Sequence, residues 1–234
     1  MRSSRWQAQG NVYLVAEGPL TAERVRGQVG DADGILEVRG RGADWVRIVV
    51  WNPDGSQAEM SGNGTRIAAA WLAEQTGAED VTVQVGDRDV RTRVGEHGLF
   101  EQELGPVVVG EPAEVGGIRF TPVDVGNPHA VVDGDPAEIG RIGPRLETDP
   151  RFPGRTNVQV ARRLGPETIE ARVWERGVGE TAASGTSAIA IVAALGGGQA
   201  TVRFPGGDLH VRLEGGRAWL TGPAARAGTA EALS

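Results

Sequence analysis

Residues 51–74 read WNPDGSQAEMSGNGTRIAAAWLAE, and residues 174–197 read WERGVGETAASGTSAIAIVAALGG. A shift of 123 positions places the first stretch on the second, with Trp51 on Trp174 and Ser61 on Ser184. Because strand, turn and helix signals follow in the same order in both stretches, we interpret them as an internal duplication. Pseudo-twofold symmetry would then bring two equivalent turns to face each other across one cleft.

The secondary-structure signals elsewhere predict a strand-rich chain with few helices. Short segments such as NVYLVAE, WVRIVVW, VTVQV, TIEARVW, ATVRF and LHVRL are separated by turn residues, which is typical of strands. The patterns GTRIAAAWLAEQTG and GTSAIAIVAALGG predict helices that are apolar on most sides and therefore buried. LTAERVRGQVG predicts another helix, and Gly140, Gly143 and Pro144 are expected to cut short a further one around DPAEIGRIGPRL.

Strand signals give way to glycine and proline near LGPVVVGEP, residues 104–112, which indicates a hinge. We therefore expect an N-terminal domain of residues 1–108, to which the tail 222–234 returns, and a C-terminal domain of residues 109–221. Both halves are long enough to bury a core of their own.

Composition excludes several functional classes. The formal charge is −7, and no run of five like charges occurs, so we expect no nucleic-acid or membrane-surface partner. The N-terminus lacks the apolar stretch of a signal peptide, and no segment approaches the ~20 apolar residues that span a bilayer. We expect a cytoplasmic protein with a small-molecule substrate, and a homodimer is one assembly that we consider.

Cysteine and lysine are both absent, and all 24 basic residues are arginine. Without lysine the chain cannot hold pyridoxal phosphate as an internal Schiff base, and without cysteine it has no thiolate nucleophile or thiolate metal site. His97, His129 and His210 are widely separated and have no partners at metal-binding spacing. We therefore expect no cofactor and no metal.

Each copy of the repeat places a serine and a glycine at the start of a helix, where backbone N–H groups lack partners and bind anions. Two such ends would hold one carboxylate between Gly62–Asn63 and Gly185–Thr186. Ser61 and Ser184 would then lie on opposite sides of the adjacent carbon. A two-base racemase needs this geometry, because one group removes the α-proton while the other supplies a proton from the far side.

Several motifs together resemble the diaminopimelate epimerase family: WNPDGSQAEMSGNGTR, VDVGNPHAVV, DPRFPGRTNVQV, RVWERGVGETAASGTSA and FPGGDLHVRLEGGRAWLTGPA. The resemblance extends from Asn11 to Pro223 in the family's order. It implies an α+β fold of two pseudosymmetric domains, each a mainly antiparallel β-barrel around a central helix. It also implies cofactor-independent conversion of LL- to meso-diaminopimelate, a step towards lysine and peptidoglycan precursors.

The resemblance assigns roles by position. It implies that the distal end of the substrate is held by the side chains of Asn11, Asn52, Asn127, Asn157 and Arg176. The α-carboxylate would meet the backbone donors Gly62, Asn63, Gly185 and Thr186. Glu175 would line the amino group, and His129 would lie near the reacting carbon. A guanidinium fork suits a carboxylate, which independently supports Arg176.

The sequence departs from the family at the reaction centre, where Ser61 and Ser184 replace the expected pair of cysteines. An aliphatic alcohol is a much weaker acid than a thiol, and each unit of pKa mismatch costs about 1.4 kcal/mol. Three explanations stay open. The serines can be engineered, they can be native and activated by a neighbour such as His129 or Glu175, or the chain can bind a ligand without catalysis.

A related branch with this fold isomerises or dehydrates small acids with a single carboxylate, for which Glu59 and Glu180 are the candidates here. A non-enzymatic binding protein is the second alternative. We expect an isomerase that inverts an α-amino carbon, with diaminopimelate as the leading substrate.

Overall fold

The computed structural model describes residues 3–58 and 60–228 and divides into two compact units. One unit comprises Met1–Glu103 and Thr221–Ser234, and the other comprises Leu104–Leu220. Each unit contains many short strands, paired in both parallel and antiparallel directions, and two α-helices. The prediction of a strand-rich chain with few helices is confirmed. No helix within the described ranges is long and apolar enough to cross a membrane.

The first unit begins with a hairpin and continues through further strands, interrupted by two helices. Its elements are β1 (Ser3–Ala8), β2 (Asn11–Glu17), α1 (Ala22–Gln28), β3 (Gly34–Arg41), β4 (Trp45–Trp51), β5 (Gln57–Ala58), α2 (Gly62–Thr76), β6 (Asp80–Val85), β7 (Arg88–Val94) and β8 (Leu99–Pro106). A single 3₁₀ turn, Glu96–Gly98, separates the last two strands.

The second unit follows the same plan. Its elements are β9 (Val108–Val109), β10 (Ala113–Val115), β11 (Ile118–Asp124), β12 (Pro128–Asp133), α3 (Ile139–Glu147), β13 (Asn157–Gly165), β14 (Thr168–Glu175), β15 (Gly179–Thr181), α4 (Gly185–Leu195), β16 (Gln199–Phe204), β17 (Gly207–Glu214) and β18 (Arg217–Pro223). A 3₁₀ turn, Pro136–Glu138, precedes α3, and β19 (Ala225–Arg226) pairs with β1.

The order of strand pairing is the same in the two units. In the first, β2 is parallel to β3, β3 is antiparallel to β4, and β4 pairs with β5 and, in parallel, with β6. In the second, β12 is parallel to β13, β13 is antiparallel to β14, and β14 pairs with β15 and, in parallel, with β16. Each repeated stretch therefore supplies the end of a strand, a turn and a helix.

Helices α2 and α4 are largely buried in their units, as their sequences predict. Helix α2 packs against β1, β2, β4, β6 and β7, and its residues from Asn63 to Leu72 are all buried. Helix α4 packs against β11, β12, β13, β16 and β17. Runs of alanine and isoleucine fit this position because small and apolar side chains can face strands on several sides.

Helix α3 corrects one expectation. It runs from Ile139 to Glu147 through both glycines and Pro144, which do not cut it short. Gly143 allows the helix to lie against Trp174, because a Cβ at this position would come within 2.7 Å of that side chain. Ile142 and Leu146 bury themselves in the core of the unit, so tertiary packing outweighs the local cost of proline.

A buried carboxylate binds the indole of each tryptophan that opens the repeated stretches. Trp51 Nε1 donates to Glu37 at 2.7 Å, and Glu37 also accepts from the Leu20 backbone N–H at 2.8 Å. Trp174 Nε1 donates to Glu147 at 2.7 Å, and the same carboxylate accepts from the Gly177 N–H at 2.8 Å.

The environment of Glu147 acts on its pKa in two directions. Burial raises it, but the hydrogen bonds from Trp174 and Gly177 and the charge of Arg155 outweigh that effect and leave the pKa lowered. A carboxyl group with a lowered native pKa stabilises the fold above its ordinary pKa, and this contribution is lost as the pH falls through the native value.

We therefore expect Glu147→Gln to lower the free energy of unfolding by about 1–3 kcal/mol at neutral pH, because a charge-assisted hydrogen-bond network is weakened. The deficit should shrink as the pH falls below the ordinary carboxyl pKa of 4.5. Urea unfolding at several pH values measures it. Glu138→Gln is the control, since the half-exposed Glu138 side chain pairs with Arg141 near the start of α3. A deficit that stays constant with pH would contradict the role given to the Glu147 charge.

Candidate active site

Ser61 is the N-cap of helix α2. Its backbone is extended, and its Oγ accepts from the Gly64 N–H at 2.9 Å. Gly64 makes this contact possible, because a Cβ at that position would come within 3.1 Å of the Ser61 side chain. No described residue accepts the N–H groups of Gly62 and Asn63, which lie in the first turn as helix geometry requires. The helix therefore presents two free donors beside the serine hydroxyl.

Tyr13 also contacts this serine, which the sequence analysis did not anticipate. Its hydroxyl lies 3.2 Å from Ser61 Oγ, and either oxygen can donate. Tyr13 lies on β2, directly opposite Gly34 of β3. A Cβ on Gly34 would come within 2.8 Å of the Tyr13 ring, so the ring can lie here only because residue 34 is a glycine.

A directed chain of hydrogen bonds orients two of the expected binding residues. Arg66 donates from Nη2 to Asn63 Oδ1 at 2.7 Å, and Asn63 Nδ2 donates to Asn11 Oδ1. The Arg66 Nε donates to the backbone oxygen of Pro223 at 3.0 Å. Burial lowers the pKa of Arg66 to about 10, so it stays charged at neutral pH. Because guanidinium can only donate, it fixes the direction of both amides.

Asn52 occupies a different place. Its Nδ2 donates to Ser56 Oγ at 2.9 Å, inside the turn that follows β4. Within the described part of the chain, no hydrogen bond joins it to Asn11 or Asn63. The structure thus brings Asn11 and Asn63 together and leaves Asn52 in its own turn.

Ser184 is the N-cap of helix α4, with the same extended backbone, but its side chain does not cap the helix. Position 187, which corresponds to Gly64, is a serine and has a Cβ. A Cβ at Gly64 would come within 3.1 Å of the Ser61 side chain, so a residue with a Cβ at this position is expected to leave the equivalent serine less room. The two serines therefore have equivalent positions and different hydrogen bonds.

His129 is fixed as a neutral imidazole. Its Nδ1 lies 2.9 Å from Gln159 Nε2, and its Nε2 lies 2.9 Å from Asn127 Oδ1. Since the Gln159 amide donates, Nδ1 accepts and Nε2 carries the proton. Burial lowers the pKa of His129 to about 3; the Gln159 bond opposes this effect and the charge of Arg176 adds to it. With both nitrogens engaged, His129 is a positioning group and has no lone pair left to activate a serine.

Gln159 links this histidine to helix α4, because its Nε2 also lies 2.9 Å from Ser187 Oγ in the first turn. Asn157 precedes it by two residues on β13 and lies directly opposite His129. Asn157 Nδ2 donates to the Pro128 oxygen at 3.1 Å, and its Oδ1 accepts from the Arg176 N–H at 3.0 Å. These contacts join β12, β13 and the turn after β14.

Glu175 and Arg176 lie where β14 ends. Glu175 accepts from Thr181 Oγ1 at 2.7 Å, and the exposed Arg176 side chain donates to the Gly154 oxygen at 3.2 Å. The second unit thus gathers its expected residues around one turn: Asn127, His129, Asn157, Glu175 and Arg176. Gly185 and Thr186 lie in the first turn of α4, next to Ser184.

Of the two carboxylates considered for the alternative chemistry, Glu180 is not an isolated acid. Glu180 of β15 forms an ion pair with Arg172 of β14, whose guanidinium lies 2.7 Å away. Glu59 lies outside the described residues. No group of three or more histidine, aspartate or glutamate side chains in the described part of the chain could hold a metal ion.

One signal could have revealed Tyr13. It is the only tyrosine in the chain, and it follows Asn11 by two residues, as His129 follows Asn127. Both residues also lie near the start of a strand that pairs in parallel with the next. Gln159 gave no comparable signal, because only the folded structure places it between His129 and Ser187.

Comparison with known proteins bears on the family and the class of enzyme. The family model described as diaminopimelate epimerase matches residues 14–109 and 121–226. A diaminopimelate epimerase of Pelotomaculum thermopropionicum is 39% identical over 225 aligned positions, which cover 82% of this chain and 80% of that protein. The expected class of enzyme, an isomerase of the epimerase type, is thereby confirmed.

Solved structures show the same fold. A predicted epimerase from Pseudomonas aeruginosa superposes with a TM-score of 0.77 at 16% identity, covering 100% of this chain and 99% of its own. A hydroxyproline epimerase from Agrobacterium vitis superposes with a TM-score of 0.71 at 16% identity, covering 98% and 91%. Fold, family model and sequence identity over most of the chain agree, and the chain belongs to the diaminopimelate epimerase family.

Proposed function

We propose that this chain inverts an α-amino carbon by a two-base mechanism in which Ser61 and Ser184 transfer the protons. The observation that carries the proposal is the equivalent position of the two serines, each the N-cap of a buried helix whose next residue is glycine. A helix end of this kind stabilises a carboxylate and the negative charge that develops when its α-proton leaves. The proposal requires both serines to act on the same carbon from opposite sides.

The proposed substrate is diaminopimelate, converted from the LL to the meso form for lysine and peptidoglycan precursors. The name of the relatives supports this choice, as do the groups available for a second polar end. We assign the distal end to Asn11, Asn52, Asn127, Asn157 and Arg176, and the α-carboxylate to the N–H groups of Gly62, Asn63, Gly185 and Thr186. Glu175 lines the amino group, and neutral His129 lies beside the reacting carbon.

We further propose that the two units form the pseudosymmetric barrel domains of this family, with residues 1–108 and the tail 222–234 in one and residues 109–221 in the other. The repeated order of strand pairing supports this arrangement. The proposed location is the cytoplasm, with a homodimer as the assembly to test. No side chain of this chain can form a Schiff base with pyridoxal phosphate, because it has no lysine.

Replacing both serines by cysteine should raise α-proton exchange on diaminopimelate by orders of magnitude at neutral pH. A thiol has a pKa near 8.5, lower still at a helix N-terminus, whereas an alcohol is a far weaker acid. NMR in heavy water measures the exchange of the α-proton. Chiral chromatography of the product measures the inversion. Ser61→Cys alone should support exchange but stall before inversion, because the far side still lacks a competent acid.

Thr76→Cys is the matched control for added thiol chemistry. It places a cysteine at the other end of α2, where the helix dipole does not favour a thiolate. If the double cysteine variant binds diaminopimelate but neither exchanges nor inverts it, the epimerase proposal is wrong. The carboxylate isomerase or the non-catalytic binding protein would then be the better reading.

Arg176→Ala should weaken the binding of diaminopimelate far more than that of lysine, which lacks the second carboxylate. Losing a charged hydrogen bond to that carboxylate corresponds to about 1.5–3 kcal/mol. Titration calorimetry with both ligands measures the difference. Arg141→Ala, an exposed arginine on α3, should change neither affinity. Equal losses for the two ligands would place Arg176 outside the specificity pocket.

A further inference from the structure

We propose that Tyr13 is the proton-accepting partner of Ser61, so that the serine hydroxyl relays the substrate α-proton to the Tyr13 phenolate. This inference rests on the proposed function, because the relay needs an acidic carbon beside Ser61. It assigns a role to a residue that the motifs of the chain did not single out.

The hydrogen bonds of Ser61 leave room for such a relay. Its oxygen has one proton and two lone pairs, and the Gly64 N–H uses one lone pair at 2.9 Å. The Tyr13 oxygen at 3.2 Å can therefore receive the serine proton or donate to the second lone pair. A two-way bond of this kind is what a reversible proton transfer needs.

The fold holds the phenol in place. Tyr13 forms the first residue pair of the parallel β2–β3 pairing, opposite Gly34, which has no Cβ to clash with the tyrosine ring. Two charged side chains lie on neighbouring elements, Asp33 just before β3 and Arg66 on α2. The Asp33 carboxylate accepts from the Val12 N–H at 2.7 Å, and the Arg66 guanidinium binds Asn63.

The second unit provides a contrast at the equivalent place. His129 stands there in the same relation to Asn127 as Tyr13 to Asn11, but its two nitrogens bind Gln159 and Asn127. The hydrogen bonds of its ring thus fix its orientation, whereas the tyrosine hydroxyl meets the serine itself. The two faces of the proposed reaction are therefore chemically different.

The step balances as a proton transfer without an added reagent. The Ser61 oxygen takes the α-proton as its own proton passes to the Tyr13 phenolate, and the carbon keeps the electron pair of the broken C–H bond. The reverse step returns a proton to the carbon and regenerates the phenolate. A phenol has a pKa near 10, so its anion is far more accessible than a serine alkoxide.

Tyr13→Phe keeps the ring and removes the relay. With diaminopimelate in heavy water, we expect a loss of α-proton exchange of at least about 100-fold, the lower range for general acid–base catalysis. In the parent, the exchange rate should rise at alkaline pH as the phenol ionises. Tyr13→Phe should abolish this rise as well. Because Tyr13 is the only tyrosine in the sequence, producing the protein in cells supplied with 3-fluorotyrosine in place of tyrosine changes this phenol alone. Fluorine makes a phenol more acidic, so the alkaline rise should move to lower pH. A purely structural role would leave the profile in place.

A second measurement needs no turnover. The near-ultraviolet phenolate band follows the titration of Tyr13 directly, in the parent and in Ser61→Ala. Losing the serine donor should raise the pH at which the phenol ionises. If the parent exchanges no α-proton, the proposed function fails and this titration alone decides the pairing. Identical titrations, or exchange that Tyr13→Phe leaves unchanged in rate and pH profile, would overturn the inference.

Discussion

Burying a helix on several sides deprives its first N–H groups of water, and this constraint organises both units. Helices α2 and α4 lie against at least five strands each, so few partners other than a cap residue or a ligand can reach their first turns. In α2 the cap residue satisfies one group, through Ser61 and Gly64. In α4 the side chain of Ser184 does not do so, and Ser187 instead receives a bond from Gln159. The side-chain cap is thus present in α2 and absent in α4, which makes the two serines chemically unequal.

The tryptophans that open the repeated stretches show the same principle. An indole N–H inside a core needs an acceptor, and each unit supplies a buried carboxylate from a different element. Glu37 belongs to a strand, whereas Glu147 belongs to the last turn of α3. In the second unit the carboxylate also binds the Gly177 N–H and so fixes the turn that presents Arg176. The bond that completes the core thus also positions a candidate binding residue.

The sequence was sufficient for the features that depend on local pattern. Buried helices over the two apolar stretches, a strand-rich chain and the serine positions at the helix starts all follow from periodicity and glycine placement. Pattern failed for α3, because the packing of Gly143 against Trp174 depends on residues distant in sequence. It also missed Tyr13 and Gln159, whose partners are 48 and 28 residues away. Such contacts depend on strand register, which local patterns do not determine.

The direction of the buried hydrogen bonds has a consequence for any bound molecule. Arg66 can only donate, so the Asn63 amide must turn its oxygen towards it, and the Asn11 oxygen then accepts in turn. In the second unit, Gln159 and His129 impose the same sense on Asn127. Each of these two asparagine oxygens therefore accepts a hydrogen bond from within the protein. The NH₂ groups of Asn11 and Asn127 are thereby set in advance to donate to an acceptor such as the distal carboxylate of the proposed substrate.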